Sequence, residues 1–416
     1  MRETVKNNCQ LLEEGEFSLP KGRAVKKLGE VCEIRNGGTP KTGNKEYWNG
    51  GIKWITPKDL GKLNDIYVAD TLRKISEIGL QKSSAKIIPK NSIILSTRAP
   101  IGYIAINTLE MATNQGCRGI IPSNKIIEKY LFYFLRNSVN LLNDLGVGTT
   151  FKELSTKALA SVQIPVPSLP EQKRIVAILD RTFKAIDQAK TNAEQNLKNA
   201  KELFESYLQN IFKNNNWERY KIENLTSLIT KGSSPNWQGV NYVENSGIFF
   251  LTSKNVGEGE LLLKNKKYLE EKFNKIQKTS ILKKGDVLTN IVGASIGRTA
   301  IFDLEEVTNI NQAVCLMRCL PNKTYNYYLM YLLNSPFFKN ILHNNEVNNA
   351  RANLSLTFFK HLLIPVPELS EQIKITERIK QFLSETKKLE TIYQQKINNL
   401  VELKKSILQQ AFKGEL

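Results

Sequence analysis

The sequence has few of the residues on which metal binding and catalysis usually depend. It contains 5 cysteines and 2 histidines among 416 residues. The cysteines fall at positions that do not repeat along the chain: Cys9, Cys32, Cys117, Cys315 and Cys319. Cys315 and Cys319 could form an isolated ligand pair, but His343 and His361 do not complete a zinc set with them. We therefore interpret the cysteines as buried structural thiols in a reducing cytoplasm.

Membrane, nucleotide-binding and methylation motifs are missing as well. No apolar run has the length of a membrane span, and residues 1–17 lack the apolar core of a secretion signal. There is no GxxxxGK[ST] loop, and no Asn or Asp is followed by two prolines and an aromatic residue. Gly146-Val-Gly148 lacks the third glycine of a dinucleotide fingerprint. The sequence thus predicts no catalytic, cofactor-binding or metal-binding residue. It also predicts that the chain is soluble and cytoplasmic.

Acidic residues are outnumbered by basic ones. Lys and Arg number 59 and Asp and Glu 40, which gives a formal charge of +19 and a pI near 9.5. Both halves of the chain are basic. Such a balance favours a polyanionic partner, because lysine and arginine that neutralise phosphates release counterions. The alternative is ordinary solubilising surface charge.

What the sequence does contain is one unit written twice. Residues 164–175 read IPVPSLPEQKRI and residues 364–375 read IPVPELSEQIKI. Asn114-Gln115 recurs as Asn311-Gln312, and Leu154-Ser155 recurs as Leu354-Ser355. An internal repeat of this length predicts two domains of the same fold. A protein with two such domains is suited to a ligand that has two parts.

Each copy is predicted to be a mixed α/β domain followed by a long helix. Short β-branched runs alternate with turn formers, and one helix is expected near 126–137 and another near 325–334. The IPVP elements cannot be helical, so they end the domains. Ser168 and Ser370 are the candidate N-caps of the long helices. The predicted order is an N-terminal extension (1–22), a domain (23–170), a helix (171–213), a second domain (214–370) and a second helix (371–416).

The two long helices carry apolar residues in steps of three and four, which is typical of a coiled coil. At about 1.5 Å per residue each would reach roughly 60 Å. We expect them to pair with each other in antiparallel sense, giving a pseudo-two-fold repeat with one globular domain at each end. Parallel pairing, or separate helices that each bind another protein, are the alternatives. Phe204, Phe212 and Phe412 lie beside the seam and are candidate subunit-docking residues.

Candidate DNA-binding residues come from positions where the two copies differ. In the first copy a Gly-Gly turn is followed by Lys41, Lys45, Tyr47 and Trp48, and in the second copy the matching loop contains Asn236, Trp237, Gln238 and Tyr242. Arg98 faces Val292 or Gly293, depending on a one-residue gap, and Arg351 faces Phe151. If each copy binds a different short sequence, shared residues are scaffold and differing polar residues contact bases. The matched Asn-Gln pairs are therefore expected to satisfy the hydrogen bonds of backbone groups. For the candidate DNA-binding residues, the alternative is that they are ordinary solvent-exposed surface residues.

The repeated IPVP-x-L-x-EQ element, the long helix after each, and the ending LQQAFKGEL (408–416) resemble the specificity subunit of type I restriction-modification enzymes. The resemblance covers about residues 23–416. It implies two target-recognition domains that each bind half of a split DNA site, with the paired helices as a ruler, in a subunit that is not itself catalytic.

The resemblance also implies partners. These are double-stranded DNA, two methyltransferase subunits and ATP-dependent restriction subunits, so that S-adenosylmethionine, ATP and Mg would be bound by the partners. Three alternatives remain open at this point. They are the specificity subunit of a related multifunctional restriction system, a self-sufficient DNA methyltransferase with unrecognised motifs, and a scaffold that does not bind DNA.

Overall fold

The computed structural model describes residues 24–98, 100–148, 152–213, 216–244, 246–345 and 353–416. The chain divides into two compact units, the first made of residues 1–192 and 396–416 and the second of residues 193–395. Each unit therefore combines one globular domain with part of both long helices. The predicted N-terminal extension, residues 1–22, lies outside the described residues.

The domain of the first unit is built from three sheets. Its strands are β1 (Ala24–Lys27), β2 (Cys32–Asn36), β3 (Trp48–Ile55), β4 (Tyr67–Val68), β5 (Arg73–Ile75), β6 (Ile87–Ile88), β7 (Ile93–Thr97), β8 (Ile101–Asn107), β9 (Met111–Thr113), β10 (Cys117–Pro122) and β11 (Gln163–Val166). Its helices are α1 (Leu28–Val31), α2 (Pro57–Leu60), α3 (Glu77–Gln81), α4 (Glu128–Asn137), α5 (Val139–Asp144) and α6 (Thr156–Ala160). The strand orders are β2-β10-β7-β8-β4, β5-β3-β9-β6 and β1-β11. This confirms the predicted mixed α/β domain.

The domain of the second unit repeats this plan. Its strands are β12 (Arg219–Lys221), β13 (Thr226–Lys231), β14 (Tyr242–Val243), β15 (Ile248–Leu251), β16 (Tyr268–Leu269), β17 (Val287–Asn290), β18 (Thr299–Ile301), β19 (Thr308–Ile310), β20 (Val314–Cys319) and β21 (Leu363–Pro365). Its helices are α8 (Lys272–Ile276), α9 (Asn326–Asn334), α10 (Pro336–Asn344) and α11 (Leu356–His361). The strand orders are β13-β20-β17-β18, β14-β16-β15-β19 and β12-β21. In both units the IPVP element is the strand that pairs with the first strand of its domain.

Two 45-residue helices, α7 (Leu169–Lys213) and α12 (Leu369–Lys413), follow the domains. Each begins two residues before the predicted start. Ser168 precedes α7, and its carbonyl accepts the first helical hydrogen bond from Gln172 N at 2.9 Å. The expectation for Ser370 was wrong: this residue lies inside α12, and Glu368 takes the preceding position with a carbonyl 3.0 Å from Gln372 N.

Contacts between the two helices in the first unit run in the antiparallel sense. In the first unit Arg174 of α7 donates to the backbone oxygen of Leu416 at 2.7 Å, and Lys404 of α12 donates to Asp187 at 2.6 Å. Moving forward along one helix therefore means moving backward along the other. In the second unit Tyr207 packs on Phe382 with ring centroids 4.4 Å apart.

A buried glutamine fixes each long helix to its own domain. Gln172 is fully buried, and its side chain accepts from Ile127 N at 2.8 Å and donates to the backbone oxygens of Lys125 and Pro167, both at 2.9 Å. Gln372 makes the equivalent three bonds in the second unit, to Tyr325 N and to the oxygens of Lys323 and Pro367. The EQ of the repeated element thus joins the helix start to the loop before α4 or α9.

A tyrosine and phenylalanine pair completes each joint. Tyr130 donates to the carbonyl of Pro165 at 2.8 Å and packs against Phe412, while Tyr328 donates to Pro365 at 2.8 Å and packs against Phe212. Phe212 is 1% exposed and Phe412 6% exposed. Burying a phenylalanine side chain stabilises a fold by roughly 1.5–3 kcal/mol.

This burial corrects the expectation that Phe212 and Phe412 dock a second subunit, because both side chains are used inside their own unit. Phe204 is half-buried and stacks on Phe382 with ring centroids 6.5 Å apart.

Candidate nucleic-acid interface

The candidate loops grow from the same root in both units. Asn36 at the end of β2 pairs with Arg118, and Lys231 at the end of β13 pairs with Cys315, the counterpart of Arg118. The next residue is a glycine in both units, Gly37 or Gly232, and it packs against the segment before β10 or β20. Both glycines are needed for space: a β-carbon at Gly232 would lie 1.6 Å from Ile310 O. The repeated sequence therefore builds one scaffold from which two different loops emerge.

The matched Asn-Gln pairs belong to this scaffold. Asn114 accepts from Gly116 N at 3.0 Å with its side-chain oxygen, and Asn311 accepts from Ala313 N at 3.1 Å. The prediction that these asparagines satisfy backbone groups is confirmed. Gln115 adds a contact from its side chain to the Thr39 hydroxyl, which ties the loop after β2 to the scaffold.

Two tryptophans shape the loop of the first unit. The rings of Trp48 and Trp54 meet edge to face at 5.1 Å, and their indole N–H groups donate to the carbonyls of Lys41 at 3.3 Å and Gly38 at 2.9 Å. Trp48 is half-buried and holds the loop, while the Lys41 side chain is exposed. Arg73 in β5 stacks over Trp48 with 3.7 Å from its guanidinium carbon to the ring centroid.

Arg73 is exposed and was not among the predicted residues. To predict its position beside the tryptophans from the sequence, one would have had to know that β3 pairs with β5. Of the other predicted residues in this loop, Lys45 is exposed on a short 3-10 helix, while Tyr47 is half-buried and its carbonyl accepts from Ser76 N at 3.0 Å. Tyr47 therefore has a structural contact and Lys45 is free to face a ligand.

Arg98 lies at the end of β7 in a network of charges. It pairs with Glu153 at 3.6 Å, and Glu153 also pairs with Arg118 at 3.6 Å. Burial lowers the pKa of Arg118, and the Glu153 carboxylate opposes that shift. A β-carbon at Gly116 would lie 3.5 Å from Arg98 Cγ and 3.1 Å from Pro57 Cγ. Arg98 is therefore held in place against the loop root, with about a third of its side chain exposed.

The second unit has a different residue at the place of Arg98. Arg98 pairs with Glu153 in an antiparallel bridge, and Val292 pairs with Asn353 in the same way. This resolves the two alternatives from the sequence in favour of Val292. The ion pair of the first unit is thus replaced by valine and asparagine. Arg351 lies outside the described residues.

Both units also present one lysine at matching positions. Lys58 and Lys254 are exposed in single helical turns that begin with threonine capping boxes at Thr56 and Thr252. Pro57 brings the first of these turns to Gly116, and Ser253 O accepts from the Asn290 side chain at 2.8 Å in the second. Neither lysine was predicted, although the repeat Thr-x-Lys-Asp/Asn was a signal for them.

The loop of the second unit carries a prominent exposed aromatic residue. Trp237 is 78% exposed in the 3-10 turn Asn236–Gln238, and Asn236 beside it is exposed. Gln238 donates to the Ser233 hydroxyl at 3.2 Å, which steadies the turn. Gly239 closes it with φ of 64°.

Tyr242 lies farther along the same loop in β14. It is 49% exposed, its ring lies 6.2 Å from that of Phe250, and Lys267 Nζ lies 5.3 Å from its ring centroid. No contact joins Tyr242 to Trp237 among the described residues. The structure therefore gathers Lys41, Trp48 and Arg98 around one root in the first unit, and leaves Trp237 and Tyr242 as separate tips in the second.

The helices of the second unit carry a separate exposed groove of about 670 Å³. Lys380, Lys387 and Lys388 line it with Leu383 and Ile392. Ile392 is 57% exposed, and none of the three lysines has an acidic partner among the described residues. The groove thus combines an apolar floor with uncompensated positive charge.

The four thiols within the described ranges lie in environments that disfavour the reactive thiolate. Burial raises the pKa of Cys32, Cys315 and Cys319 to about 12 and raises that of Cys117 further. In the part of the chain that the structure describes, no group of three or more His, Cys, Asp and Glu could hold a metal ion. No described helix is long and apolar enough to cross a membrane.

The sequence matches the model of one protein family twice. The family is described as the type I restriction modification DNA specificity domain, and the matches cover residues 20–199 and 214–399. The two matches correspond to the two copies of the internal repeat.

Relatives of known assignment cover most of the chain. It is 30% identical over 344 residues to the type I restriction enzyme MjaIX specificity subunit of Methanocaldococcus jannaschii, with 78% of each chain covered. It is 26% identical over 325 residues to the EcoBI specificity subunit of Escherichia coli, with 72% of this chain and 68% of that one covered.

Solved structures show the same fold. The HsdS subunit from Thermoanaerobacter tengcongensis matches with a TM-score of 0.63 at 20% identity over 97% of this chain and 100% of that one. A chain from a structure of the type I R-M system matches with a TM-score of 0.74 at 20% identity, over 96% and 99%.

Proposed function

This chain belongs to the family of type I restriction-modification DNA specificity subunits, and we propose that each of its two domains binds one half of a bipartite, asymmetric DNA target. It is the recognition subunit of its enzyme and not a catalytic one. The observation that carries the proposal is the pair of loops that share a root and differ in chemistry. The loops leave matching positions of the two sheets, and different side chains give each domain its own sequence preference.

Base contacts are proposed for the residues that differ between the copies. In the first unit Arg98 is held by Glu153 while part of its guanidinium stays exposed, which suits a bidentate contact to guanine. Lys41, Lys45 and Arg73 are further exposed basic residues of the same unit. In the second unit Asn236 and Gln238 suit adenine, and Trp237 and Tyr242 offer aromatic surface.

Exchange of one domain tests this directly. Residues 23–170 would be replaced by the corresponding domain of another family member, and the methylated sites would be mapped genome-wide. We expect one half of the target to change and the other half to stay. A change in both halves would contradict the proposal, and so would no change.

A finer test uses Arg98. We expect Arg98→Ala to relax the preference at one base pair of one half-site by about 5- to 150-fold, the range of one bidentate contact. Arg35→Ala is the control, because Arg35 is held by Glu33 at 2.6 Å on the same domain. Equal loss of preference in both half-sites would rule out the proposed role of Arg98.

Phosphate contacts are proposed for the lysines that the two units share. Because Lys58 and Lys254 occupy matching positions, they suit a backbone that does not differ between half-sites. Each substitution, Lys58→Gln or Lys254→Gln, should weaken binding to all sequences alike and reduce the slope of log K against log salt by about one. A change in sequence preference without a change in that slope would contradict this assignment.

We propose that the two long helices carry the methyltransferase subunits and that the groove of the second unit is one docking surface. Its three lysines, which have no acidic partner among the described residues, and its apolar floor fit an acidic, amphipathic segment of a partner. S-adenosylmethionine, ATP and Mg would be bound by the methyltransferase and restriction subunits. Reversing the charge with Lys387→Glu and Lys388→Glu should abolish co-purification of the methyltransferase, while Lys396→Glu, an exposed residue outside the groove, should leave it intact.

The helices are also proposed to set the distance between the half-sites. At about 1.5 Å per residue, the 45 residues of α7 extend about 68 Å, which corresponds to about two turns of duplex DNA. Inserting four residues near Ala189 should change the permitted spacer and leave both half-sites unaltered. An unchanged spacer would contradict the ruler.

The alternatives are separated by simpler measurements. The purified chain should transfer no methyl group from labelled S-adenosylmethionine to DNA without its partners, and transfer by the chain alone would favour a self-sufficient methyltransferase. Co-purification from the host would distinguish a type I enzyme from a related multifunctional restriction system. DNA binding that is lost at high salt would argue against a scaffold that does not bind DNA.

A further inference from the structure

We propose that the second unit contains a binding site for a phosphate group in a cleft between the start of α9 and the turn before β17. The cleft has a volume of about 460 Å³ and is lined by Lys283, Asp286, Arg318, Thr324 and Tyr325. It lies apart from the loops proposed to contact DNA bases, and the inference does not rest on their assignment.

The observation that points to a ligand is an unpaired hydroxyl group. Thr324 is 2% exposed, it lines the cleft, and its Oγ1 has no hydrogen-bond partner. Leaving a buried hydroxyl unpaired is unfavourable, whereas a phosphate oxygen in the cleft would accept its hydrogen bond. Thr324 directly precedes Tyr325, the N-cap of the nine-residue helix α9, and Tyr325 provides no side-chain cap. Tyr325 N and Tyr327 N donate to the side chains of Gln372 and Asn326, and the dipole of the helix start favours an anion.

The charges around the cleft also fit an anion. Asp286 is 1% exposed and accepts from Arg318 at 2.8 and 2.7 Å and from Lys283 N at 2.7 Å, so its charge is fully compensated. The exposed ammonium group of Lys283 has no acidic partner among the described residues. The positive charge of Lys283 at the opening of the cleft is therefore not neutralised by an acidic side chain of the described residues.

The first unit provides an internal comparison, because its equivalent place is apolar. Ile127 N and Tyr325 N donate to the two matching glutamines, so Ile126 corresponds to Thr324. The matched strand pairings make Ile121 the counterpart of Arg318. Ile126 is buried in the core of its domain. The polar cleft is thus specific to the second unit and is not required by the shared fold.

Titration of the full-length chain with inorganic phosphate at constant ionic strength, followed by calorimetry, tests the site. We expect saturable binding that Thr324→Val and Lys283→Gln each weaken about tenfold, since each removes one contact to a charged group. Thr324→Val should leave the free protein at least as stable, because it removes an unpaired hydroxyl without changing the shape of the side chain. Lys90→Gln, at the corresponding turn of the first unit, is the matched control and should bind phosphate like the wild type.

Two results would overturn the inference: no saturable binding at phosphate concentrations up to about 10 mM, which is above the millimolar affinity expected of a few contacts, or equal binding by the wild type, Thr324→Val and Lys283→Gln. A second arm adds duplex DNA to the phosphate-bound protein. Displacement of phosphate would identify a DNA backbone phosphate as the occupant, and simultaneous binding would identify a free phosphate anion. Both results support the site, and they distinguish between the two sources of the bound phosphate group.

Discussion

The joint between domain and helix makes a quantitative prediction at Gln172. Replacing Gln172 by alanine removes three hydrogen bonds of 2.8 to 2.9 Å from a fully buried side chain. Ile127 N and the carbonyls of Lys125 and Pro167 then lose their partner. At about 1 kcal/mol net for each bond, and more where a group stays unsatisfied, the free energy of unfolding of the first unit should fall by about 3–5 kcal/mol.

Chemical denaturation followed by hydrogen exchange measures this loss for each unit separately. Gln188→Ala is the control on the same helix, because the exposed Gln188 amide bonds only the side chain of Asn192, at 3.0 Å, among its described contacts. It should change stability by less than about 0.5 kcal/mol. Gln372→Ala should affect the second unit by the same amount as Gln172→Ala affects the first. A loss below about 1 kcal/mol for both buried glutamines would refute the reasoning, since it would mean that water replaces the lost amide.

Three further predictions follow from packing, ion pairing and burial. Phe412→Ala should destabilise the first unit by about 3–5 kcal/mol, because Tyr130 and Phe134 cannot close the cavity; a loss under about 1 kcal/mol in thermal unfolding would contradict the packing. Lys404→Ala should lower stability by less than about 1 kcal/mol, because its partner Asp187 is 60% exposed, and a larger loss would show that its contact with the Phe183 ring matters more. In a Cys9→Ser variant the remaining thiols should resist dithionitrobenzoate at pH 8, because raised pKa values keep them protonated; rapid labelling of the native protein would contradict their burial.

The sequence was sufficient for the features that depend on local physics or on repetition. Proline in the IPVP elements excludes helix, and steps of three and four in apolar residues require one, so the long helices were predicted to within two residues at their starts. The antiparallel sense was also predicted correctly. Ser370 was misplaced because it lies two residues after Glu368, the residue that precedes the helix. A serine at either position can begin a helix, and local sequence does not decide between them.

The binding surface was harder to predict, because it depends on which strands lie side by side. Arg73 joins the tryptophans through the pairing of β3 with β5, which no local pattern reveals. Tyr47 and Trp48 were predicted as ligand contacts, yet both are half-buried and support the loop. The docking prediction failed for Phe212 and Phe412 for a similar reason. A residue beside a helical seam can face either a partner or its own domain, and the domain is covalently close.

The same joint carries different side chains in the two units. In the first, Asp180 of α7 accepts from Lys129 and Tyr133, both at 2.6 Å. Burial and this carboxylate raise the pKa of Tyr133. Burial lowers the pKa of Lys129, but the hydrogen bond and the charge of Asp180 together raise it above its usual value.

In the second unit Lys380 takes the place of Asp180, and its ammonium lies 3.9 Å from the ring centroid of Tyr327, the counterpart of Lys129. If two methyltransferase subunits dock at these positions, as proposed, one would meet an ion pair that is already neutralised and the other an open basic groove. Contacts that treat both units alike would have to use residues outside these positions, and contacts through the groove would hold one partner more tightly. Because surface charge acts mainly on association rate and salt dependence, unequal docking should be strongest at low salt, with the second unit occupied first.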